Sequence, residues 1–115
     1  MPEILYKQGE IWMVNLNPIK GSEQAGYRPV LILSGNLAND FAPVLVCCPL
    51  TTKLKHYKGN LILNPDANNG LKESSEVMAI HIRSISKERF IEKIGFIPKA
   101  QVNQMKQTIQ DLLNY

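Results

Sequence analysis

Short apolar segments recur through the first 96 residues, and turn-forming residues such as Asn17-Pro18 and Ser34-Gly35-Asn36 separate them. Short segments rich in Val, Ile, Leu and aromatic residues are typical of β-strands. We therefore predict strands at about residues 10–16, 29–33, 44–48, 61–63, 76–85 and 90–96. The segment at 29–33 is almost entirely apolar, which predicts burial on both of its faces. Pro49 is expected to end the third strand.

The hydrophobic period changes near the C-terminus. Apolar residues separated by 3, 4, 3 and 1 positions fall on one face of a helix, and they are Val102, Met105, Ile109, Leu112 and Leu113. Pro98 stands where a first helical turn tolerates a proline, so we predict a helix at about 98–113. Short strands followed by one terminal helix favour a small, mostly antiparallel β-barrel with a packed C-terminal α-helix. The 115 residues favour one domain, residues 1–115.

Composition restricts the classes of protein to which the chain can belong. A hydrophobic fraction of 44% and a charged fraction of 20% are typical of a globular protein rather than a disordered one. No apolar run approaches the ~20 residues that a membrane-spanning helix needs. The N-terminal residues lack the basic and apolar segments of a secretory signal. We therefore expect a cytoplasmic protein.

The two cysteines, Cys47 and Cys48, are adjacent in a predicted strand. Neighbouring strand residues point to opposite faces, so a disulfide between them would be strained. Two thiolates are also too few for a zinc site, and the sequence contains no other metal-binding or phosphate-loop motif. We expect two buried thiols in a reducing compartment, and neither a metal nor a cofactor.

The first candidate site is the glycine-flanked segment before the second predicted strand. A net charge of +3 and a pI of about 8.9 permit a polyanionic partner without requiring one. Gly21 and Gly26 allow sharp backbone turns, and Pro29 favours an extended backbone at Arg28. An arginine held in this way presents a rigid fork of donors suited to phosphate. The alternative is an ordinary surface ion pair between Arg28 and Glu23.

The second candidate site follows the third predicted strand. Hydroxyl side chains are succeeded there by cations and a tyrosine: Thr51, Thr52, Lys53, Lys55, His56, Tyr57 and Lys58. Hydroxyls bind phosphate oxygens, lysines attract a nucleic-acid backbone, and tyrosine stacks on a base. The alternative is an ordinary solvated loop. His81 interrupts the fifth predicted strand. An imidazole side chain suits proton transfer at neutral pH, and a hydrogen-bonded structural histidine is the alternative.

Three sequence blocks resemble a known family. They are GEIWMVNLNPIKGSEQAGYRPVLILS at residues 9–34, CCPLTTKLK at 47–55 and VMAIHIRSIS at 77–86. In this order they are similar to the successive blocks of the MazF/PemK (Kid) toxins of type II toxin–antitoxin systems. The first block is the most specific, and the resemblance extends from about Gly9 to the terminal helix.

The resemblance implies a small SH3-like β-barrel of the CcdB/Kid/MazF toxin fold that forms a homodimer. It also implies a sequence-specific endoribonuclease, an mRNA interferase, that cleaves single-stranded RNA without a metal and thereby arrests translation and growth. A cognate antitoxin neutralises such toxins with an extended, acidic C-terminal segment, and DNA is contacted only through the antitoxin. The alternatives are a gyrase-inhibiting toxin of the same fold and a non-catalytic SH3-like binding module. The joint presence of Glu23, Arg28 and Thr51 favours the nuclease.

The resemblance also assigns roles to residues of this chain. The family's catalytic arginine and threonine correspond to Arg28 and Thr51, and Glu23 corresponds to an acid/base or positioning group. The implied reaction is attack of an RNA 2′-hydroxyl on the adjacent phosphorus, with Arg28 and Thr51 holding the phosphate oxygens. Its products are a 2′,3′-cyclic phosphate and a 5′-hydroxyl end. Ser22 and Gln24 correspond to flanking positions that line the site.

The third block departs from the family pattern. Ile80 and His81 stand where many members have an acidic residue followed by glutamine, which suggests altered base selection, while Arg83 keeps the basic position. The complete set of predicted RNA-binding residues is Ser22, Gln24, Thr52, Lys53, Lys55, His56, Tyr57, Lys58, His81 and Arg83.

Overall fold

The computed structural model describes residues 3–17 and 26–115. Its elements in chain order are β1 (Glu10–Asn15), β2 (Tyr27–Ile32), α1 (Asn36–Phe41), β3 (Val44–Thr51), β4 (Ile62–Leu63), β5 (Ser75–Val77), β6 (Arg83–Ser86), β7 (Phe90–Phe96) and α2 (Lys99–Asn114). The strands found in these residues pair antiparallel in the order β4-β5-β3-β2-β1-β7, and β6 also pairs with β3. This curled antiparallel sheet with a C-terminal helix confirms the predicted fold.

The eight-residue strand β3 is paired along both edges. One edge pairs with β2, and the other pairs first with β6 and then with β5. Between Leu50 and Cys47, β3 advances by three residues. The chain that pairs with it advances by six residues over the same distance, from Val77 in β5 to Arg83 in β6. The surplus residues form a 3-10 turn at Ala79–His81. The single strand predicted at 76–85 is therefore wrong in its middle.

The predicted end of the third strand is also wrong, because Pro49 lies within β3 opposite Val30. A proline has no N–H to donate into a sheet. Pro49 falls between the parts of β3 that pair with β6 and with β5, where its carbonyl accepts the N–H of Met78 at 3.0 Å. The break between β5 and β6 therefore explains why this strand tolerates a proline.

No hydrophobic period predicts the short helix α1, because its six residues are too few to establish one. Tertiary hydrogen bonds hold it instead. Buried Asn39 donates from Nδ2 to the carbonyl of Ser34 at 2.9 Å, and its own carbonyl accepts Lys87 Nζ. Asn36 Oδ1 accepts the N–H of Gln8 at 2.8 Å. Lys87 and Gln8 are distant in the sequence, so the local pattern did not reveal the helix.

Where β2 and β3 pair, at residues 30–32 and 47–48, both faces of the sheet are buried, as the apolar segment at 29–33 predicted. Leu31 and Cys48 belong to the cluster that packs against α2, together with Met105. Ile32 and Cys47 belong to a second cluster, which contains the Tyr6, Trp12 and Phe90 rings. The adjacent cysteines thus lie in different clusters, as expected. Full burial of such a side chain stabilises the fold by about 1.5–3 kcal/mol, so the sheet is held from both sides.

Helix α2 confirms the predicted C-terminal helix. Val102 and Met105 are buried, and Ile109 packs against the same cluster. Leu112 and Leu113 are exposed, so only the first part of the predicted apolar stripe is covered by the core. Across the described ranges, no helix has the length and apolar character needed to cross a membrane.

A buried carboxylate holds the start of β1. Glu10 Oε1 accepts the Trp12 indole Nε1 at 2.9 Å and the Lys7 N–H at 3.0 Å, and Oε2 lies 3.0 Å from Lys93 Nζ. Burial alone would raise the pKa of the Glu10 carboxyl, but these hydrogen bonds and the ammonium outweigh burial and hold the pKa below its usual range. The folded protein therefore favours the ionised carboxylate.

We expect Gly95→Ala to lower the free energy of unfolding by about 2 kcal/mol or more. A Cβ at position 95 would lie 2.3 Å from the backbone carbon and oxygen of Asn69. Gly35→Ala is the matched control, because a Cβ there meets nothing within 4 Å, and its unfolding free energy should change by less than about 0.5 kcal/mol. Urea unfolding compares the two variants, and equal stabilities would contradict the close approach of Asn69 to β7.

We expect Glu10→Gln to lower the unfolding free energy by about 1–2 kcal/mol at pH 7. A carboxyl whose pKa is lowered by folding stabilises the protein above its ordinary pKa of 4.5. That contribution is lost as the pH falls through the folded-state value. The deficit of the variant relative to the unsubstituted protein should therefore shrink between about pH 5 and pH 2. Urea unfolding across this range provides the measurement, and a deficit independent of pH would show that the carboxylate charge contributes nothing.

Candidate functional site

An open cleft lies where the start of β2 meets the end of β3. Its volume is about 310 Å³, and its lining residues are Tyr27, Arg28, Pro29, Leu50, Thr51, Thr52, Lys53 and Ser75. The antiparallel pairing places Val30 opposite Pro49. Residues just before Val30 therefore lie beside residues just after Pro49. This pairing brings together Arg28 and Thr51, which come from separate blocks of the sequence.

Strand β2 presents Arg28 from a fixed backbone. Arg28 lies opposite Val14 of β1, and its side chain is exposed. The next part of the strand, residues 30–32, is fully buried. At the other end, Gly26 adopts a φ of +106°, and its carbonyl accepts the N–H of Leu16 at 3.0 Å. Because the backbone is held on both sides, an anion that binds the guanidinium orders only the side chain.

Thr51 ends β3 with its hydroxyl held in place. Its Oγ1 accepts the backbone N–H of Lys53 at 3.1 Å. A hydroxyl oxygen that accepts in this way still has its own hydrogen to donate. The residues that line the cleft thus include an arginine, a lysine and two hydroxyl residues, namely Arg28, Lys53, Thr51 and Thr52. Charged and neutral donors of this kind suit a phosphate group.

Glu76 is a residue of this region that sequence reasoning missed. It is 0% exposed and lies on β5 opposite Thr51. Its carboxylate accepts four hydrogen bonds, at 2.6, 2.7, 3.0 and 2.7 Å, from the backbone N–H groups of Lys55, His56 and Tyr57 and from the side-chain amide of Asn60. The sequence feature that could have revealed Glu76 was a single acidic residue at the start of a predicted apolar strand.

The electrostatics of Glu76 follow from these partners. Burial alone would raise the pKa of the Glu76 carboxyl, but the hydrogen bonds from Asn60 and from the three backbone N–H groups outweigh burial and hold the pKa below its usual range. The group is therefore an ionised carboxylate that is enclosed by the protein. It organises the loop at residues 53–60, which contains most of the predicted RNA-binding cations.

Part of that loop lines a second cavity rather than the Arg28 cleft. Tyr57 and Lys58 border a space of about 650 Å³ that also reaches the end of α2. Its other lining residues are mostly apolar or uncharged, and they are Gly59, Asn60, Ala79, Ile80, Thr108, Asp111, Leu112 and Tyr115. Lys55 and His56 are exposed on the segment that connects the two cavities. The structure thus divides the predicted basic loop between the cleft, an exposed segment and a second cavity.

Two further predicted site residues that the structure describes, His81 and Arg83, do not line the cleft. His81 is exposed at the end of the 3-10 turn, and Arg83 is exposed on β6 opposite Cys47. The predicted residues Ser22, Glu23 and Gln24 lie outside the described residues.

The thiols and the acidic residues complete the chemical inventory. Burial raises the pKa of Cys47 and of Cys48 to about 12, so both are neutral at pH 7 and unsuited to nucleophilic attack. Within residues 3–17 and 26–115, no three His, Cys, Asp or Glu side chains are grouped so that they could hold a metal ion.

Comparisons with known proteins agree with this fold. The profile of the PemK-like, MazF-like toxins of type II toxin–antitoxin systems matches residues 7–113. The chain is 28% identical to endoribonuclease EndoA of Bacillus subtilis over 108 residues, which cover 93% of each chain. It is 30% identical to the endoribonuclease toxin MazF of Escherichia coli over 105 residues, which cover 91% of each chain.

A solved structure shows the same relationship. The crystal structure of MazE-MazF from Deinococcus radiodurans contains a chain that superposes with a TM-score of 0.80 at 26% identity. The superposition covers 97% of this chain and 98% of the other. Sequence and fold therefore agree over nearly the whole length, and the resemblance carried by the three sequence blocks is confirmed. This chain belongs to the PemK-like, MazF-like toxin family of type II toxin–antitoxin systems.

Proposed function

We propose that this protein is a toxin that cleaves single-stranded RNA at short sequence motifs without a metal ion. The observation that carries the proposal is the position of Arg28 and Thr51 in one open cleft. The chain's membership of a toxin family supports it, as do the curated relatives, which are endoribonucleases. RNA cleavage by such an enzyme lowers translation and arrests growth.

The proposed reaction uses a nucleophile that belongs to the substrate. The 2′-oxygen of one nucleotide attacks the adjacent phosphorus, and a new bond forms between them as the bond from phosphorus to the 5′-oxygen breaks. The 2′-hydroxyl loses a proton, and the departing 5′-oxygen gains one. The products are a 2′,3′-cyclic phosphate and a 5′-hydroxyl end, so no serine or cysteine nucleophile is required.

The protein supplies charge stabilisation in this mechanism. Negative charge develops on the phosphate oxygens as the phosphorus becomes five-coordinate. The Arg28 guanidinium donates two parallel N–H bonds to these oxygens, and the Thr51 hydroxyl donates to one of them. Because both residues stand on paired strands, their backbones are already in place when the substrate arrives, and binding orders only the side chains. Fixed donors of this kind typically contribute about 3–4 kcal/mol each to transition-state stabilisation.

The proton transfers need other groups. Glu23 is our candidate for accepting the 2′-hydroxyl proton, although an ordinary glutamate pKa of about 4.3 makes it a weak base at neutral pH. Arg28 is a poor acid because a guanidinium holds its proton firmly. His81 is exposed on a 3-10 turn outside the lining of the cleft. We therefore assign His81 to base selection rather than to proton transfer.

The RNA strand is proposed to extend from the cleft along the basic loop. Thr52 and Lys53 line the cleft beside Thr51, and the more distant candidates are Lys55, His56, Tyr57 and Lys58. The lysines contribute sequence-independent attraction to phosphates, and Tyr57, which is 53% exposed, offers a face for base stacking. We propose Ser22, Gln24 and Arg83 as further RNA contacts.

The partners follow from the family. We propose that a cognate antitoxin binds this chain through an extended, acidic C-terminal segment, and that DNA is contacted only through that antitoxin. The solved relative pairs MazF with MazE, and the net charge of +3 suits an acidic segment.

We also propose a homodimer in the cytoplasm. Exposed apolar side chains on α1 and β3, including Phe41 at 81%, support an interface between copies of the chain.

We expect Arg28→Ala to lower the RNA cleavage rate by about 10²–10³-fold, because one fixed donor to the developing charge is lost. The assay incubates the purified protein with a long single-stranded RNA in the presence of EDTA and maps the ends that appear. Lys99→Ala is the matched control, because Lys99 is an exposed cation at the start of α2. Intact RNA with the unsubstituted protein, together with inhibition of gyrase, would contradict the nuclease and support the alternative toxin class.

We expect His81→Gln to change which RNA sequences are cut while the pH profile of the cleavage rate stays the same. The substitution restores the residue that is common in the family at this position, and His81 does not line the cleft. Sequencing of the cleaved ends from a complex RNA pool measures the preference, and single-turnover rates from about pH 5 to 9 measure the profile. Loss of one limb of the profile would instead make His81 a proton donor or acceptor.

A further inference from the structure

The loop at residues 53–60 is wrapped around one enclosed carboxylate. Three successive backbone N–H groups, those of Lys55, His56 and Tyr57, point at Glu76, and the Asn60 amide completes the set. Successive N–H groups that converge in this way form an anion-binding nest, in which a residue with positive φ is typical. His56 has a φ of +56° and is the one described non-glycine residue with positive φ. The loop conformation therefore depends on the anion at its centre.

A second contact holds the end of the same loop. Thr108 of α2 donates its hydroxyl to the carbonyl of Gly59 at 2.6 Å. Gly59 has a φ of +89°, and a Cβ at this position would lie 2.8 Å from Thr108 Cγ2. The loop is thus fixed to the helix at one end, to β3 at the other, and to Glu76 in between. The three lysine side chains of the loop take no part in these contacts, because the groups that donate to Glu76 are backbone N–H groups and one side-chain amide.

Glu76 links this loop directly to the Arg28 cleft. It lies opposite Thr51 in the pairing of β5 with β3, and its neighbour Ser75 lines the cleft. One carboxylate therefore connects the strand end that presents the Thr51 hydroxyl with the loop that presents the basic side chains. Glu76 itself cannot touch a substrate, because it is 0% exposed and its oxygens already accept four hydrogen bonds.

We propose that Glu76 is a positioning residue for RNA binding, which holds loop 53–60 in its RNA-binding conformation before the RNA arrives. The proposal rests on the proposed function, because it assumes that the loop contacts RNA. A negative charge inside a surface that binds a polyanion opposes the long-range attraction. The negative charge is explained by its effect on the loop, which it orders. A loop that is already fixed loses less conformational entropy on binding than a loop that must be ordered by the RNA. Glu76 thereby strengthens binding of RNA without contacting it.

The first test is Glu76→Gln, which keeps the side-chain length but replaces one acceptor oxygen by a donor that faces N–H groups. We expect RNA affinity to fall roughly 5- to 30-fold, as for the loss of one or two kcal/mol. Affinity is measured by fluorescence anisotropy with a labelled single-stranded 2′-O-methyl RNA, which lacks the 2′-hydroxyl nucleophile and stays intact. With cleavable RNA, KM should rise by a similar factor while kcat changes less than about threefold.

Glu10→Gln is the matched control for lost stability. Glu10 is also a buried carboxylate with backbone and side-chain donors. It begins β1, whereas Arg28 pairs near the other end of that strand. Its substitution should destabilise the protein while KM and the affinity for the 2′-O-methyl RNA stay unchanged. Equal losses of affinity in both variants would show that general destabilisation is responsible and would overturn the proposal.

A double-mutant cycle with Lys55→Ala tests whether Glu76 acts through the loop. The alanine keeps the backbone N–H that Glu76 accepts and removes the exposed ammonium. If Glu76 positions this side chain, Lys55→Ala weakens RNA binding less in the Glu76→Gln background than in the unsubstituted protein. Additive losses would contradict positioning of Lys55 by Glu76.

A milder variant covers the case in which Glu76→Gln fails to fold. Asn60→Ala removes one of the four donors to the carboxylate and should give the same pattern at smaller size, with KM raised and kcat retained. If kcat falls instead while KM is unchanged, Glu76 acts on the chemistry beside Thr51 and the loop proposal is wrong.

If the unsubstituted protein neither binds nor cuts RNA, the proposed function fails rather than the role of Glu76 within it.

Discussion

The pairing of β3 along both of its edges is the constraint on which the rest of this structure depends. On one edge, the register with β2 places Arg28 beside Thr51. On the other edge, the register with β5 places Glu76 opposite Thr51. Because a slip of β3 by one residue would exchange the buried Leu45 and Cys47 with the exposed Val44 and Val46, these registers are firmly held. The geometry of the cleft is therefore a consequence of sheet packing and not of local loop preferences.

Two enclosed carboxylates serve different purposes on this frame. Burying a charge is costly unless hydrogen bonds replace the lost water. Glu10 meets this requirement with an indole, a backbone N–H and the Lys93 ammonium, and it secures the start of β1. Glu76 meets it with backbone N–H groups and the Asn60 amide, so it orders a basic loop without pairing with the lysine side chains. The second arrangement leaves those cations available to a polyanion.

The sequence predicted most elements of the fold, and its errors have specific causes. A proline inside β3 and a turn inside the strand predicted at 76–85 both come from the change of register between β5 and β6. Helix α1 depends on Asn39 and on partners distant in the chain. In the candidate site, the residue types of Arg28 and Thr51 suit phosphate, and the resemblance to the toxin family singled these two residues out. Glu76 was missed because its importance lies in backbone donors that no sequence motif reveals.

Hydrophobic periodicity by itself determined most of the strands, the helix α2 and the burial of the segment at 29–33, because that information is local and repeats along the chain. The residue types at Arg28 and Thr51, with the blocks around them, determined the family and the class of substrate to propose. Only the tertiary structure decided which of the polar residues share a cleft, how the basic loop divides between two cavities, and that Glu76 holds that loop. These outcomes depend on strand register and on hydrogen bonds between residues far apart in the sequence.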